Sequence, residues 1–145
     1  MKTLDQWFTE YSDSHQNRTN QIIHKICVPL IFFTVVSLLI LIPYSLGPIR
    51  IGELVIAVAL GWYFTLGPKA FVLMLVQIAI CYVLLYALRQ VAEPLIPLIV
   101  IFVLAWIGQF VGHKIEGKKP SFFKDLQFLL IGPLWVAKSL FKRAF

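Results

Sequence analysis

Three histidines, His15, His24 and His113, are the residues best suited to chemistry, and none lies in the middle of an apolar run. His15 and His24 precede the first long apolar run, and His113 follows the last. His24 stands four residues after Asn20, and Glu116 three after His113, so each pair shares a helix face. Neutral imidazole and carboxylate are ligands for iron, zinc or copper. Three histidines, with or without Glu116, would form a metal set whose open positions bind dioxygen or activate water. The competing reading is that each is an ordinary polar residue at a membrane surface. The spacing is not a specific motif such as H-E-x-x-H, so it names neither metal nor reaction. Gln109, one turn before His113, is placed to support it from outside the ligand set. Arg18 and Lys118 are candidates to hold a carboxylate or phosphate head group. The neighbouring Lys25, Lys114 and Lys119 read as contacts with anionic lipid.

The elements that position these residues follow from composition. Of 145 residues, 59% are apolar and 14% charged, against about 45–50% and about 25% in a soluble domain. The mean hydropathy is +0.83. Such a chain is neither disordered nor an ordinary soluble globule. Cys27 and Cys81 both lie inside apolar runs, which excludes a disulfide scaffold and a cysteine zinc site. The net charge of +6 reads as a membrane signal rather than a nucleic-acid footprint. No P-loop, dinucleotide fingerprint or Ser-His-Asp order is present.

Four apolar runs predict an all-α integral membrane bundle of about four spans, one domain over 1–145. The runs cover about 26–46, 51–66, 70–88 and 91–111, and the second is short. A helix needs about 20 apolar residues to cross, and an open strand would leave backbone groups unpaired in lipid. Residues 1–25 form a segment outside the hydrocarbon and 112–145 a tail at the interface. Thr3-Leu4-Asp5-Gln6 is a capping-box pattern. Leu4, Trp7, Phe8 and Tyr11 follow as a stripe that lies on the membrane or packs on the protein. Gly47-Pro48 and Gly67-Pro68 read as helix stops, and Gly132-Pro133 as a break in the tail. In the tail, Phe122, Phe123, Leu126, Leu129 and Leu130 make an apolar face interrupted by Lys124, Asp125 and Gln127. It reads as re-entrant or interfacial, anchored by Trp135, Lys142 and Arg143, with a further crossing as the alternative. With four spans all three histidines emerge on one face. Eleven Lys and Arg residues then fall on the side of the termini and two, Arg50 and Arg89, on the other, so both termini face the cytoplasm.

Two stretches carry a resemblance. One is His15-Gln16-Asn17-Arg18-Thr19-Asn20-Gln21-Ile22-Ile23-His24-Lys25-Ile26-Cys27-Val28-Pro29-Leu30; the other is Gln109-Phe110-Val111-Gly112-His113-Lys114-Ile115-Glu116-Gly117-Lys118-Lys119-Pro120. Together they resemble the signatures of the family of the yeast 2-hydroxy-palmitic acid dioxygenase, small multi-pass membrane proteins. The resemblance covers nearly the whole chain. It implies α-oxidation of 2-hydroxy fatty acids with Fe(II) and O2, a step of sphingolipid base breakdown in eukaryotic members. The family's histidines match His15, His24 and His113, its asparagine Asn20 and its glutamate Glu116. Ser121 stands where a small apolar residue is usual, and Lys138 where members often carry an acid, which puts a role for a tail carboxylate in doubt.

The leading expectation is therefore a membrane enzyme, an Fe(II) dioxygenase acting on a 2-hydroxy fatty acid, with membrane lipid as its other partner. His15, His24 and His113 would hold the metal, Glu116 would join them in catalysis, and Asn20, Arg18 and Lys118 would contact substrate. Two other readings stand beside it: a zinc-dependent lipid hydrolase, and a lipid-binding or transport protein without catalysis. A bacterial inner membrane is the favoured location, or the endoplasmic reticulum in a eukaryote.

Overall fold

A computed structural model describes residues 1–117 and 122–141; Lys118, Lys119, Ser121, Lys142 and Arg143 fall outside them. The described chain is almost wholly helical: α1 (Leu4–Asp13), α2 (Arg18–Leu41), α3 (Ile51–Thr65), α4 (Pro68–Val91), α5 (Leu95–Glu116) and α6 (Phe122–Leu140). A two-residue hairpin, β1 (Ser45–Leu46) with β2 (Ile49–Arg50), links α2 to α3. Among the described residues three helices are long and apolar enough to cross a membrane: α2 and α4 with 24 residues each and α5 with 22. At about 1.5 Å per residue each exceeds the roughly 30 Å hydrocarbon core. The apolar α3 has 15 residues and reaches only about 22 Å.

Local chemistry explains several helix ends. Thr3 caps α1 as its sequence predicts: its hydroxyl accepts from Gln6 N, and Gln6 Oε1 accepts from Thr3 N at 2.8 Å. Gly67, at φ 124°, follows the end of α3, and Pro68 opens α4, whose first turn needs no proline N–H. Two expectations are corrected. Gly47 and Pro48 do not stop α2; the helix ends at Leu41, just ahead of the pre-proline residue Ile42, and Gly47 at φ 61° makes the hairpin tip. Gly132-Pro133 does not break α6, which runs through both. Packing overrides the proline there: both residues are buried, and a Cβ at position 132 would meet Val28 Cγ1 at 3.0 Å and Tyr11 Oη at 3.4 Å. The helix α2 also begins eight residues ahead of its apolar run, so Asn20 and His24 stand on the same rod as the span.

The chain divides into two compact units. The first comprises Met1–Phe32 with Val103–Phe145. Here α1 packs on α6, its stripe used for protein contact rather than left to lipid: Phe8 and Tyr11 are buried, and Tyr11 meets Phe128 and Trp135 at ring distances of 5.0 Å. The buried side of α6 is Phe128, Ile131, Leu134 and Trp135. Leu126 and Leu130 of the expected apolar face are exposed. The second unit comprises Phe33–Phe102. In it α3 packs on α4, which buries a helical stripe of Ala70, Met74, Ile78, Cys81 and Leu85.

Candidate functional site

The three histidines meet inside the first unit, each almost fully buried. His15 follows α1, His24 lies in the second turn of α2, and His113 lies near the end of α5. Their ring centres are 4.3 Å (His15–His24), 5.1 Å (His24–His113) and 5.9 Å (His15–His113) apart. Each of the first two is fixed by its own chain. His15 Nδ1 donates to Tyr11 O at 2.6 Å, and His24 Nδ1 donates to Asn20 O at 3.0 Å. A carbonyl can only accept, so these bonds set the neutral tautomer and leave Nε2 with its lone pair. His15 also stacks on Tyr11 with ring centres 4.1 Å apart and planes within 5°.

Helices α2 and α5 approach closely because α5 has no side chain where they touch. A Cβ at Gly112 would collide with Asn20 Oδ1 and stand 3.2 Å from His24 Cε1; one at Gly108 would stand 2.7 Å from Cys27 Sγ. Gly108 and Gly112 form a G-x-x-x-G pair, the spacing that lets helix backbones come together. Gly112 thus makes room for both Asn20 and His24. Asn20 is fully buried; its Nδ2 donates to Glu116 at 3.0 Å, while its Oδ1 has no hydrogen-bond partner among the described residues.

Glu116 is placed differently from the histidines. Its carboxylate accepts from Gln16 N at 2.8 Å, Asn17 N at 2.9 Å and Asn20 Nδ2. It clasps the joint between α1 and α2 from outside the cavity that the histidines line. Asn17 completes the joint, its Oδ1 accepting from Thr19 N and Asn20 N at the start of α2. Arg18 is exposed in that first turn and does not line the cavity, whereas Gln109 is buried and does. Lys118 lies outside the described residues.

The cavity gives about 10 Å³ to the centre of a water-sized body, space for one small species. Its lining adds residues that the sequence reading passed over, chiefly Tyr11, Trp106, Phe128 and Asp125. Asp125 Oδ1 stands 3.6 Å from His113 Nε2. Burial pushes the Asp125 carboxyl up from its ordinary range, against the pull of His113. Tyr11 is likewise pushed up by burial, with the Asp125 charge adding to it. The available signal for Asp125 was that it is the lone acid of a largely apolar helix.

The donor chemistry suits a transition metal. Rings bound to one ion through nitrogens about 2.1 Å away place their centres roughly 4.5–5.2 Å apart, and the observed spacings bracket that range. As the side chains stand, among the described residues no group of three or more His, Cys, Asp or Glu is placed to hold a metal ion.

An all-α membrane protein with three buried histidines gathered where α2 begins and α5 ends is the class these features define. The chain belongs to the Mpo1-like family, described as 2-hydroxy-palmitic acid dioxygenase Mpo1-like, whose model matches residues 1–144. No curated protein and no solved structure gives a significant match. The family resemblance read from the two signature stretches is borne out.

Proposed function

We propose that this chain is an Fe(II)-dependent dioxygenase that converts a 2-hydroxy fatty acid and O2 into the fatty acid one carbon shorter, CO2 and water. The carrying observation is the meeting of His15, His24 and His113 from three separate elements, in a chain whose family is described as a dioxygenase. The reaction balances in atoms and electrons without a nicotinamide or 2-oxoglutarate, since the substrate supplies the reducing equivalents. Iron, when bound, supplies the means to engage O2 and to polarise the 2-hydroxy acid. His15, His24 and His113 would hold it. The chain's own contribution is orientation: Nδ1–H bonds to Tyr11 O and Asn20 O hold two rings with Nε2 available. Arg18 and Lys118 are the proposed partners of the substrate carboxylate, while Asn20, fully buried and outside the cavity lining, acts by holding His24 rather than by touching substrate. Gln109 and Asp125 border the same space. That space admits one small species, so the acyl chain lies elsewhere, along apolar helix surfaces. Glu116 supports the reading as the clasp that positions Asn20. Both termini and the histidine cluster face the cytoplasm in this proposal, as the charge count favours.

The test is anaerobic purification in detergent, elemental analysis for iron and zinc, and oxygen uptake with 2-hydroxypalmitate. Stoichiometric iron, one CO2 released per O2, and loss of both in His15→Ala, His24→Ala and His113→Ala are expected. Zinc in place of iron, or full turnover in all three variants, overturns the proposal.

A further inference from the structure

A second and larger hollow lies between α1 and α6, lined by Phe8, Ser12, Trp135, Lys138 and Ser139, with about 280 Å³ open to a water-sized body. It is distinct from the histidine cavity, with which it shares no lining residue. Its floor is aromatic. Its polar groups are few and point to one kind of ligand. Lys138 Nζ stands 4.7 Å over the Phe8 ring and makes no ion pair with a carboxylate among the described residues. Ser12 Oγ already accepts from Trp135 Nε1 at 3.1 Å, and a hydroxyl that accepts keeps a proton of its own to donate. An unneutralised ammonium and a hydroxyl donor at an aromatic groove complement a single negative head on an apolar tail.

We infer that this groove between α1 and α6 binds the carboxylate end of a long-chain fatty acid, with Lys138 as its ion-pair partner and Ser12 as a hydrogen-bond donor. The groove commits to a fatty acid rather than a phospholipid because its charged lining is a single ammonium with serine hydroxyls beside it, a match for one carboxylate and not for a glycerophosphate head with two acyl chains. Trp135 lines the groove and also stands 5.9 Å from the His15 ring. A fatty acid held here lies one indole away from the histidine cluster. Only that link to a reaction rests on the dioxygenase reading; the binding does not.

The experiment measures saturable binding of palmitate to the detergent-purified, metal-free full chain, with hexadecanol and phosphatidylglycerol as comparison ligands. A diazirine palmitate then maps the contact by mass spectrometry. Expected are binding weakened at least tenfold in Lys138→Glu, retained in Lys138→Arg, and labels on α1 and α6. Hexadecanol should bind poorly to wild type and be indifferent to the substitution. His113→Ala should bind palmitate as wild type does, whether or not the protein proves to be an iron dioxygenase. Lys138 is exposed, so the variants keep the fold, checked by circular dichroism. Palmitate affinity unchanged in Lys138→Glu, hexadecanol binding as tightly as palmitate, displacement by phosphatidylglycerol at lower concentration than by palmitate, or loss of binding in His113→Ala would each overturn the assignment.

Discussion

Asp125 meets His113 across two helices, and its chemistry separates a buried acid from a surface one. Its carboxyl is raised by burial, so the folded chain holds that proton more tightly than the unfolded chain. Folding stability from this group is therefore greatest at low pH and falls as pH rises from the ordinary carboxyl range through the raised one. Thermal melts of the metal-free protein across that window should show the fall in wild type and a flatter profile in Asp125→Asn. Glu116 is the opposite case, an acid whose lone pairs are taken by backbone and Asn20 donors. Glu116→Ala should cost about 1–2 kcal/mol, read by denaturation, and lower activity by misplacing Asn20. Glu116→Gln, which keeps an acceptor, should recover part of both. The histidines were legible because imidazoles are rare in so apolar a chain and flank its runs. Asp125 and Tyr11 were not, because nothing in a linear spacing says which side of α6 turns toward α5, or that α1 packs on it.

Among the elements, the contact of α2 with α5 rests on two glycines. Gly112→Ala drives a methyl into Asn20 and against His24. Iron content and turnover should both fall by tenfold or more, with the helical circular dichroism signal preserved. The control is Gly61→Ala, whose Cβ meets nothing within 4 Å and which should be neutral or gain up to about 1 kcal/mol. Hydropathy located the spans but not the start of α2, since a helix continues past the point where its residues stop being apolar. The Gly-Pro punctuation marked the α3–α4 junction correctly and misled at Gly132-Pro133. A buried face shared with Tyr11 and Val28 holds α6 together there, a tertiary effect no local rule contains. The G-x-x-x-G pair on α5 was present in the sequence as a helix-packing signal.

For the whole molecule, the meeting of the α2 start with the α5 end constrains how the chain threads a bilayer. If α2 and α5 both cross, their meeting ends share a side, and α3 and α4 together would then make an even number of crossings. If α4 crosses fully, as its length allows, α3 must cross as well, and its 15 residues would require a thinned bilayer or buried ends. A cysteine introduced at Lys69, in a background lacking Cys27 and Cys81, should label from the same side as tags on either terminus; labelling from the other side would exclude four spans. The charge asymmetry favours the four-span arrangement and the shortness of α3 weighs against it, and the label decides between them. The native Cys27 has a use of its own. Its sulfur is wedged against Gly108, where even a methyl would stand 2.7 Å away, so a bulky maleimide can reach it only while the two helices are parted. The rate at which Cys27 is alkylated is therefore a clock for the breathing of the seam, and any ligand that cements the histidine end should slow it.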